Sequence, residues 1–406
     1  MRKLIGILFS LFHLSIGVAL AQSDSMIVSK MREQGITFTN DNSIKLLMSG
    51  YEKFDHLFED IRQAKSSVHL EYFNFRNDSI ASLLFDILRE KRKEGVEVRA
   101  LFDGFGNDSN NKPLKKKHLK ALREDGIDIY EFDPIRFPWI NHIWPRDHRK
   151  IVVIDGKIGY TGGMNVADYY LVGTEQVGEW RDMHCRIEGP VVDELQRIFI
   201  RMWKKVTKEE LSDPKYFQGE TAGQKMIGIA NREPRTDTKV MRSFYVNALD
   251  CAKDSVKIIN PYFSLTPSLK KALKRCADRG VKLDILISSK YDEPLMPDIV
   301  LRNVYQLWKH GARIWRYRPG FHHSKIMMVD GKWCTVGSAN LDARGMRYDY
   351  EINAIIIDPE TTHQLEDKFI EDTKQSDFMT EEEWKKTRTG WVKFKGWFGH
   401  LLAFLI

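Results

Sequence analysis

Two short stretches of this 406-residue chain carry the same reactive side chains at the same spacing. The first runs His148-Arg-Lys150, four residues, Asp155, six residues, Gly162-Gly163-Met-Asn165. The second runs His323-Ser-Lys325, four residues, Asp330, six residues, Gly337-Ser338-Ala-Asn340. A histidine nitrogen can attack phosphorus and carry a covalent intermediate. A second histidine, titrating near neutrality, can protonate a leaving alkoxide and then deprotonate an incoming hydroxyl. Lysine charges and asparagine amides can hold the nonbridging oxygens as charge builds on them. If the two copies face one another, the chemistry they suit is displacement at a phosphodiester. A lone H-x-K on a strand is ordinary solvated surface; two complete copies argue for a catalytic constellation. The neighbours His322 and His323 point to opposite faces of a strand, and no cysteine or carboxylate cluster has metal-ligand spacing, so no metal or other cofactor is expected.

Each copy reads as strand, tight turn, strand. Ile151 to Ile154 and Ile326 to Val329 are short apolar runs, and Asp155-Gly156-Lys157 and Asp330-Gly331-Lys332 are turn signals. Alternation along a strand puts His148 with Lys150, and His323 with Lys325, on one face. Asp155 and Asp330 either join the catalytic set or cap the turn that closes each strand.

The elements around the motifs alternate β and α, the mark of an α/β sheet covered by helices. Ile36–Thr39 and Ile44–Met48 read as a hairpin about Asn40-Asp41-Asn42, followed by an amphipathic helix from Tyr51 to Lys65. A buried strand is expected within Ala64–Phe73, a helix from Ser79 to Lys93, a strand after Gly95, a helix to Glu124 and a strand after Gly126. The second half repeats the order. Ala252–Phe263 matches the Ala64 segment, Gly280 matches Gly95, and Gly311 matches Gly126. The first half has extra residues between Gly126 and His148, in the aromatic stretch Pro134–Pro145, which contains Trp139 and Trp144. This stretch is either a packed loop or an apolar lip of the site. The expected domains are 35–210 and 239–380, joined by a polar linker at 211–238.

Composition is that of a folded chain, 42% hydrophobic and 29% charged, which excludes a disordered one. A net charge of +7 suits an anionic partner, either a phospholipid surface or nucleic acid. Residues 1–21 combine a basic start, an apolar run and Ala19-Leu-Ala21, the pattern of a signal peptide or an N-terminal anchor, so export is expected. Of the four cysteines, Cys251 and Cys276 are the one pair with a case for bonding; the alternative is free thiols throughout. The stretch 381–406 mixes lysines and tryptophans with an apolar run, which fits an interfacial helix or one docked on the body.

The paired motif resembles the hallmark of the phospholipase D superfamily. Further segments are similar to bacterial cardiolipin synthases: Leu70-Glu-Tyr-Phe73, Gly95-Val-Glu-Val-Arg99, Trp180-Arg-Asp182, Glu188-Gly-Pro190, Asn260-Pro-Tyr-Phe263, Arg279-Gly-Val281 and Gly337 to Arg344. The chain departs from the family's usual pattern at Gly345 and Asp349. The resemblance implies two tandem pseudo-symmetric phospholipase D-like domains, each a mixed β-sheet flanked by helices, with the active site at their interface. It implies that His148, Lys150, Asp155, His323, Lys325 and Asp330 form the catalytic set and that Asn165 and Asn340 bind phosphate. It also implies a separate carboxylate for each histidine: Asp182 in the first copy and Glu351, 28 residues after His323, in the second. The implied reaction joins two phosphatidylglycerols into cardiolipin and glycerol through a phosphohistidine, in a monomer at a membrane surface. Hydrolysis to phosphatidic acid is the alternative. A nuclease or a non-catalytic lipid-binding protein ranks lower, and no nucleic-acid partner is expected.

Overall fold

The computed structural model describes residues 26–135, 144–234, 236 and 239–402. The expected signal peptide or anchor at 1–21, and Trp139 with most of the aromatic stretch, lie outside them. The first half contributes β1 (Phe38–Leu47), α1 (Gly50–Gln63), β2 (Ser67–Tyr72), α2 (Ser79–Lys93), β3 (Glu97–Asp103), α3 (Lys116–Glu124), β4 (Asp128–Phe132), β5 (Ile151–Ile154), β6 (Ile158–Gly162), β7 (Glu179–Arg181), β8 (His184–Glu188) and α4 (Val192–Thr207). The second contributes β9 (Lys225–Arg232), α5 (Val240–Cys251), β10 (Ser255–Ile259), α6 (Pro267–Asp278), β11 (Lys282–Ser288), α7 (Met296–Trp308), β12 (Arg313–Tyr317), β13 (Gly320–His322), β14 (Ile326–Val329), β15 (Trp333–Gly337), β16 (Glu351–Ile357), α8 (Pro359–Lys374) and β17 (Ser376–Phe378). Two helices follow, α9 (Glu381–Thr387) and α10 (Gly390–Leu402).

The duplication read from the sequence is present in the sheet. One half runs β1-β8-β6-β5-β2-β3-β4, the other β9-β16-β15-β14-β10-β11-β12 with β17 added at the edge. In each half the three strands of the βαβ units are parallel and the motif strands antiparallel. The two sheets are not separate. β1 pairs antiparallel with β9, so the halves merge into a single 15-stranded sheet. Gly228 permits this join, because a Cβ there would lie 2.7 Å from the Phe38 ring.

Two sequence expectations change for the same reason. The segment about Asn40–Asn42 does not turn into a hairpin but continues β1 through a bulge, with Asp41 at φ 65. Its two arms have partners elsewhere: residues 43–47 pair with β8, and Phe38, Thr39 and Asn42 with β9. The expected linker at 211–238 holds β9, which lies at the join. Local polarity marked both as irregular, whereas distant strands supply their backbone hydrogen bonds.

Alternate side chains of the motif strands enter different cores. Ile151 and Val153 of β5, with Ile326 and Met328 of β14, pack beneath α4 and α8 in a core spanning both halves. Val152 and Ile154 face the core of α1 and α2, while Met327 and Val329 face that of α5 to α7. Burial on both faces explains why these strands read as unbroken apolar runs. The cysteines are four free thiols, Cys251 and Cys276 included. Among the described residues, no helix is long and apolar enough to cross a membrane.

Candidate active site

The reactive residues stand just before β5 and β14 rather than within them. His148 and Lys150 precede Ile151, and His323 and Lys325 precede Ile326. These extended segments leave their own sheets and pair across the halves. The β13 segment runs parallel to β7, with Phe321 opposite Trp180 and His322 opposite Arg181, and the His323 amide then donates to Arg181 O at 2.7 Å. Gly320 allows the approach, since a Cβ there would meet Glu179 O at 2.0 Å. At the equivalent place in the first motif, Asp147 bridges Tyr350 in parallel, and the His148 amide donates to Tyr350 O at 3.1 Å.

This pairing corrects the assignment of the carboxylates. Each histidine is held by a carboxylate from the opposite half, not its own. His148 Nδ1 lies 3.0 Å from Glu351 Oε1, and His323 Nδ1 lies 2.7 Å from Asp182 Oδ2. The physical cause is the register: one residue beyond Arg181 is Asp182, one residue beyond Tyr350 is Glu351, and the ladders deliver each beside the facing histidine. A carboxylate on Nδ1 keeps a proton there and leaves Nε2 for chemistry. Ser338 Oγ donates to the other Glu351 oxygen, and the Met183 amide to Asp182 Oδ1 at 2.8 Å. Gly163, the counterpart of Ser338, leaves room for Asp182: a Cβ would lie 2.2 Å from its Oδ1.

Both histidines line a cavity of about 430 Å³ that also takes in Asn165, Asn340, Tyr169, Trp180, Tyr262 and Asp292. Lys150 and Lys325 are buried. Lys150 Nζ donates to His148 O at 2.6 Å, and Lys325 Nζ to His323 O at 2.5 Å while lying 2.9 Å from both nitrogens of the His323 ring. Phe73 meets the His148 ring edge-on, and Trp180 and Phe321 flank that of His323.

Electrostatics separate the two dyads. Burial, then Lys150 and Lys325, hold His148 well below the usual imidazole range. Burial and Lys325 bring His323 to about 4, against the pull of Asp182. Burial alone would raise Asp182, but Lys325, His323 and its hydrogen bonds outweigh it and hold the carboxyl at about 2. Burial lifts Glu351 to about 8, with Lys150 and the Ser338 hydrogen bond opposing. Burial lowers Lys150 to about 7 and Lys325 to about 8.

Asp155 and Asp330 do not join this set. They close the far ends of β5 and β14 in left-handed turns, φ 53 and 54. Asp155 accepts from the amides of Lys65, Ser66 and Ser67 at 2.7–2.9 Å, and Asp330 from those of Lys253, Asp254 and Ser255. A four-residue strand separates each from its lysine, so they fasten the motif strand to the chain entering β2 or β10. The turn-capping reading describes their contacts.

Sequence reasoning missed a buried charged scaffold. The Asp147 amide donates to Asp103 Oδ2 at 2.8 Å, Arg149 Nε lies 2.8 Å from Glu71, and Asp349 accepts from the Arg146 amide at 3.0 Å. His322 turns away from the site to Asp372, 3.1 Å off. A signal for the scaffold existed: Glu71 sits inside an otherwise wholly buried strand, where a charge needs a partner.

The family model described as cardiolipin synthase, phospholipase D-like domain, matches residues 57–203 and 245–373. Cardiolipin synthase 2 of Staphylococcus epidermidis is 37% identical over 369 residues, 90% of this chain and 75% of the relative. A cardiolipin synthase of Staphylococcus aureus is 36% identical, covering 93% of this chain and 76% of its own, and that of Oceanobacillus iheyensis is 34% identical over 95% and 79%. Among solved structures, the phosphatidylserine synthase of Haemophilus influenzae superposes with a TM-score of 0.70 at 15% identity, over 89% of this chain and 95% of that one. A polyphosphate kinase of Porphyromonas gingivalis shares the fold with a TM-score of 0.55 at 14% identity, over 80% and 46%. With two motif-bearing halves closing on one cavity, and matches of this extent, the chain belongs to the cardiolipin synthase family of the phospholipase D superfamily.

Proposed function

We propose that this enzyme transfers a phosphatidyl group from one phosphatidylglycerol to a hydroxyl of a second, releasing glycerol and forming cardiolipin. The observation that carries the reading is the pair of histidines on one cavity, each with a carboxylate on Nδ1. In the first step His148 Nε2 bonds to phosphorus as the bond to the glycerol oxygen breaks, and His323 gives that oxygen its proton. In the second, the glycerol hydroxyl of another lipid attacks phosphorus, its proton passes to His323, and the phosphorus–nitrogen bond breaks. Lys150, Lys325, Asn165 and Asn340 supply charge and dipoles for the phosphate oxygens.

The contrast between the dyads supports this division of labour. An ionised carboxylate stabilises an imidazolium, and Asp182, held at about 2, is ionised, which suits His323 to carry the proton. A nucleophile must be neutral, and burial between two lysines keeps His148 so. An arriving phosphodiester anion raises the proton affinity of His323 towards working pH. One chain supplies both motifs and both carboxylates, so a monomer suffices. Lipid substrates place the enzyme at a membrane surface, and residues 1–21 are consistent with export.

Mass spectrometry of lipids after incubation with phosphatidylglycerol vesicles tests the reaction, with His148→Ala as control. Cardiolipin and glycerol are expected from the native protein alone; phosphatidic acid without cardiolipin would make it a hydrolase. Phosphate label trapped on protein in His323→Ala but not in His148→Ala is expected, and the reverse would exchange the two roles.

A further inference from the structure

Helix α10 is seated with its small residues inward and its large ones outward. It runs antiparallel to α7. Arg388, just before it, lies over the Tyr305 ring at 3.7 Å, whereas Lys395 reaches Asp298 at 2.7 Å. Gly396 and Gly399 make the contact: a Cβ on the first would lie 2.6 Å from Asp298 O, and on the second 2.9 Å from the Ile299 side chain. The opposite face carries Trp391, Phe394, Trp397, Phe398 and Leu401, between 47% and 65% exposed. Their spacing follows the helical repeat, so they form one stripe. The rings touch each other, Trp391 with Phe394 at 5.5 Å and Phe394 with Phe398 at 6.4 Å between centroids. A contiguous aromatic stripe left in water, when the same helix buries its glycines, marks an interaction surface.

Charge and position select the occupant. Lys393 is exposed beside the stripe. Lys270, on α6, faces Lys274 and Arg302, and both Lys270 and Arg302 face His400. This cationic fringe repels a second copy of itself and attracts an anionic surface, while tryptophan at the edge of an apolar face is typical of helices in the headgroup layer. The stripe ends level with Asp298 and Ile299, in the first turn of α7, and Met296 at the start of that helix lines the catalytic cavity.

We infer that α10 is a lipid-facing shelf, whose aromatic stripe enters the headgroup region of an anionic bilayer and holds the cavity mouth against the leaflet. The lipid identity of the substrate rests on the proposed function; the shelf itself is a binding property that can be read without chemistry.

The test uses the full chain with Phe394→Glu and Phe398→Glu together. Co-sedimentation is measured with vesicles of phosphatidylglycerol and of phosphatidylcholine, and turnover with vesicles and with short-chain phosphatidylglycerol below its micellar threshold. The native protein is expected to bind phosphatidylglycerol vesicles in preference to phosphatidylcholine, and the variant to partition about tenfold less or weaker still. Turnover on vesicles should fall in parallel while turnover on the short-chain lipid is unchanged. A second measurement leaves the stripe apolar: Trp391→Phe with Trp397→Phe should lose much of the quenching by brominated phosphatidylglycerol seen in the native protein. Equal partitioning of native and double-glutamate proteins overturns the shelf, as does quenching that survives loss of both tryptophans. A native dimer that dissociates in the double-glutamate variant, with lipid binding intact, would assign the face to a second copy and overturn it too. Native protein that binds vesicles through α10 but makes no product leaves the shelf standing and refutes the proposed reaction instead.

Discussion

The crossed dyads make a prediction that a same-half arrangement does not. In Asp182→Asn, the neutral amide keeps the shape of the carboxylate but removes the charge 2.7 Å from His323 Nδ1. A hydrogen bond to a charged group is worth about 1.5–3 kcal/mol, and more is at stake when the partner is buried, as here. At 1.36 kcal/mol per pH unit, the His323 pKa should fall by about one to two units, and turnover by roughly 10- to 100-fold. His148 touches Glu351, not Asp182, and should titrate almost as before. The assay is NMR of protein labelled in its histidine rings, read across a pH series in native protein, Asp182→Asn and Glu351→Gln. Assignments come from His148→Ala and His323→Ala. Asp182→Asn is expected to move the His323 resonances and Glu351→Gln those of His148. If Asp182→Asn instead shifts His148 and leaves His323 in place, each carboxylate serves its own half and the reasoning from strand register is wrong.

Two further outcomes follow from the geometry. Asp155→Ala removes a carboxylate that accepts three amides in a left-handed turn, so unfolding free energy should drop by about 3 kcal/mol while kcat of the folded fraction stays near the native value; denaturant titration with an activity assay checks both. Glu351, raised from 4.5 to about 8 by burial, stabilises the fold most below pH 4.5 and loses that contribution as pH rises through 8. Lys150, lowered to about 7, acts in the opposite sense only above that pH. Between pH 5 and 7, native protein should therefore lose on the order of 2 kcal/mol more than Glu351→Gln, measured by urea unfolding at both pH values.

The chemistry was legible in the sequence because it is local. The two H-x-K copies, their asparagines and the duplicated β-α order occupy short windows, and helices such as Ser79–Lys93 follow from periodicity alone. The spacing that carries Asp155 and Asp330 into the motif is equally regular, yet it reflects a shared turn that ties strands together, so repetition by itself did not separate a catalytic role from an architectural one.

What the tertiary structure decided is everything that depends on pairing between the two halves. A polar stretch read as a linker holds β9 because β1 and β16 complete its hydrogen bonds. Asp182 and Glu351 were recognisable as carboxylates for the histidines, but their partners were exchanged. The ladder of β13 with β7 and the single bridge of Asp147 with Tyr350 join residues more than 100 apart in the chain, and their register determines which side chain meets which ring. Sequence alone determined the candidate groups, two H-x-K pairs with their asparagines and carboxylates, but not that Asp155 and Asp330 stand apart from them. Only the fold, by closing one half on the other, determined which group holds which, because that is a property of the backbone pairing between halves and leaves no mark within either.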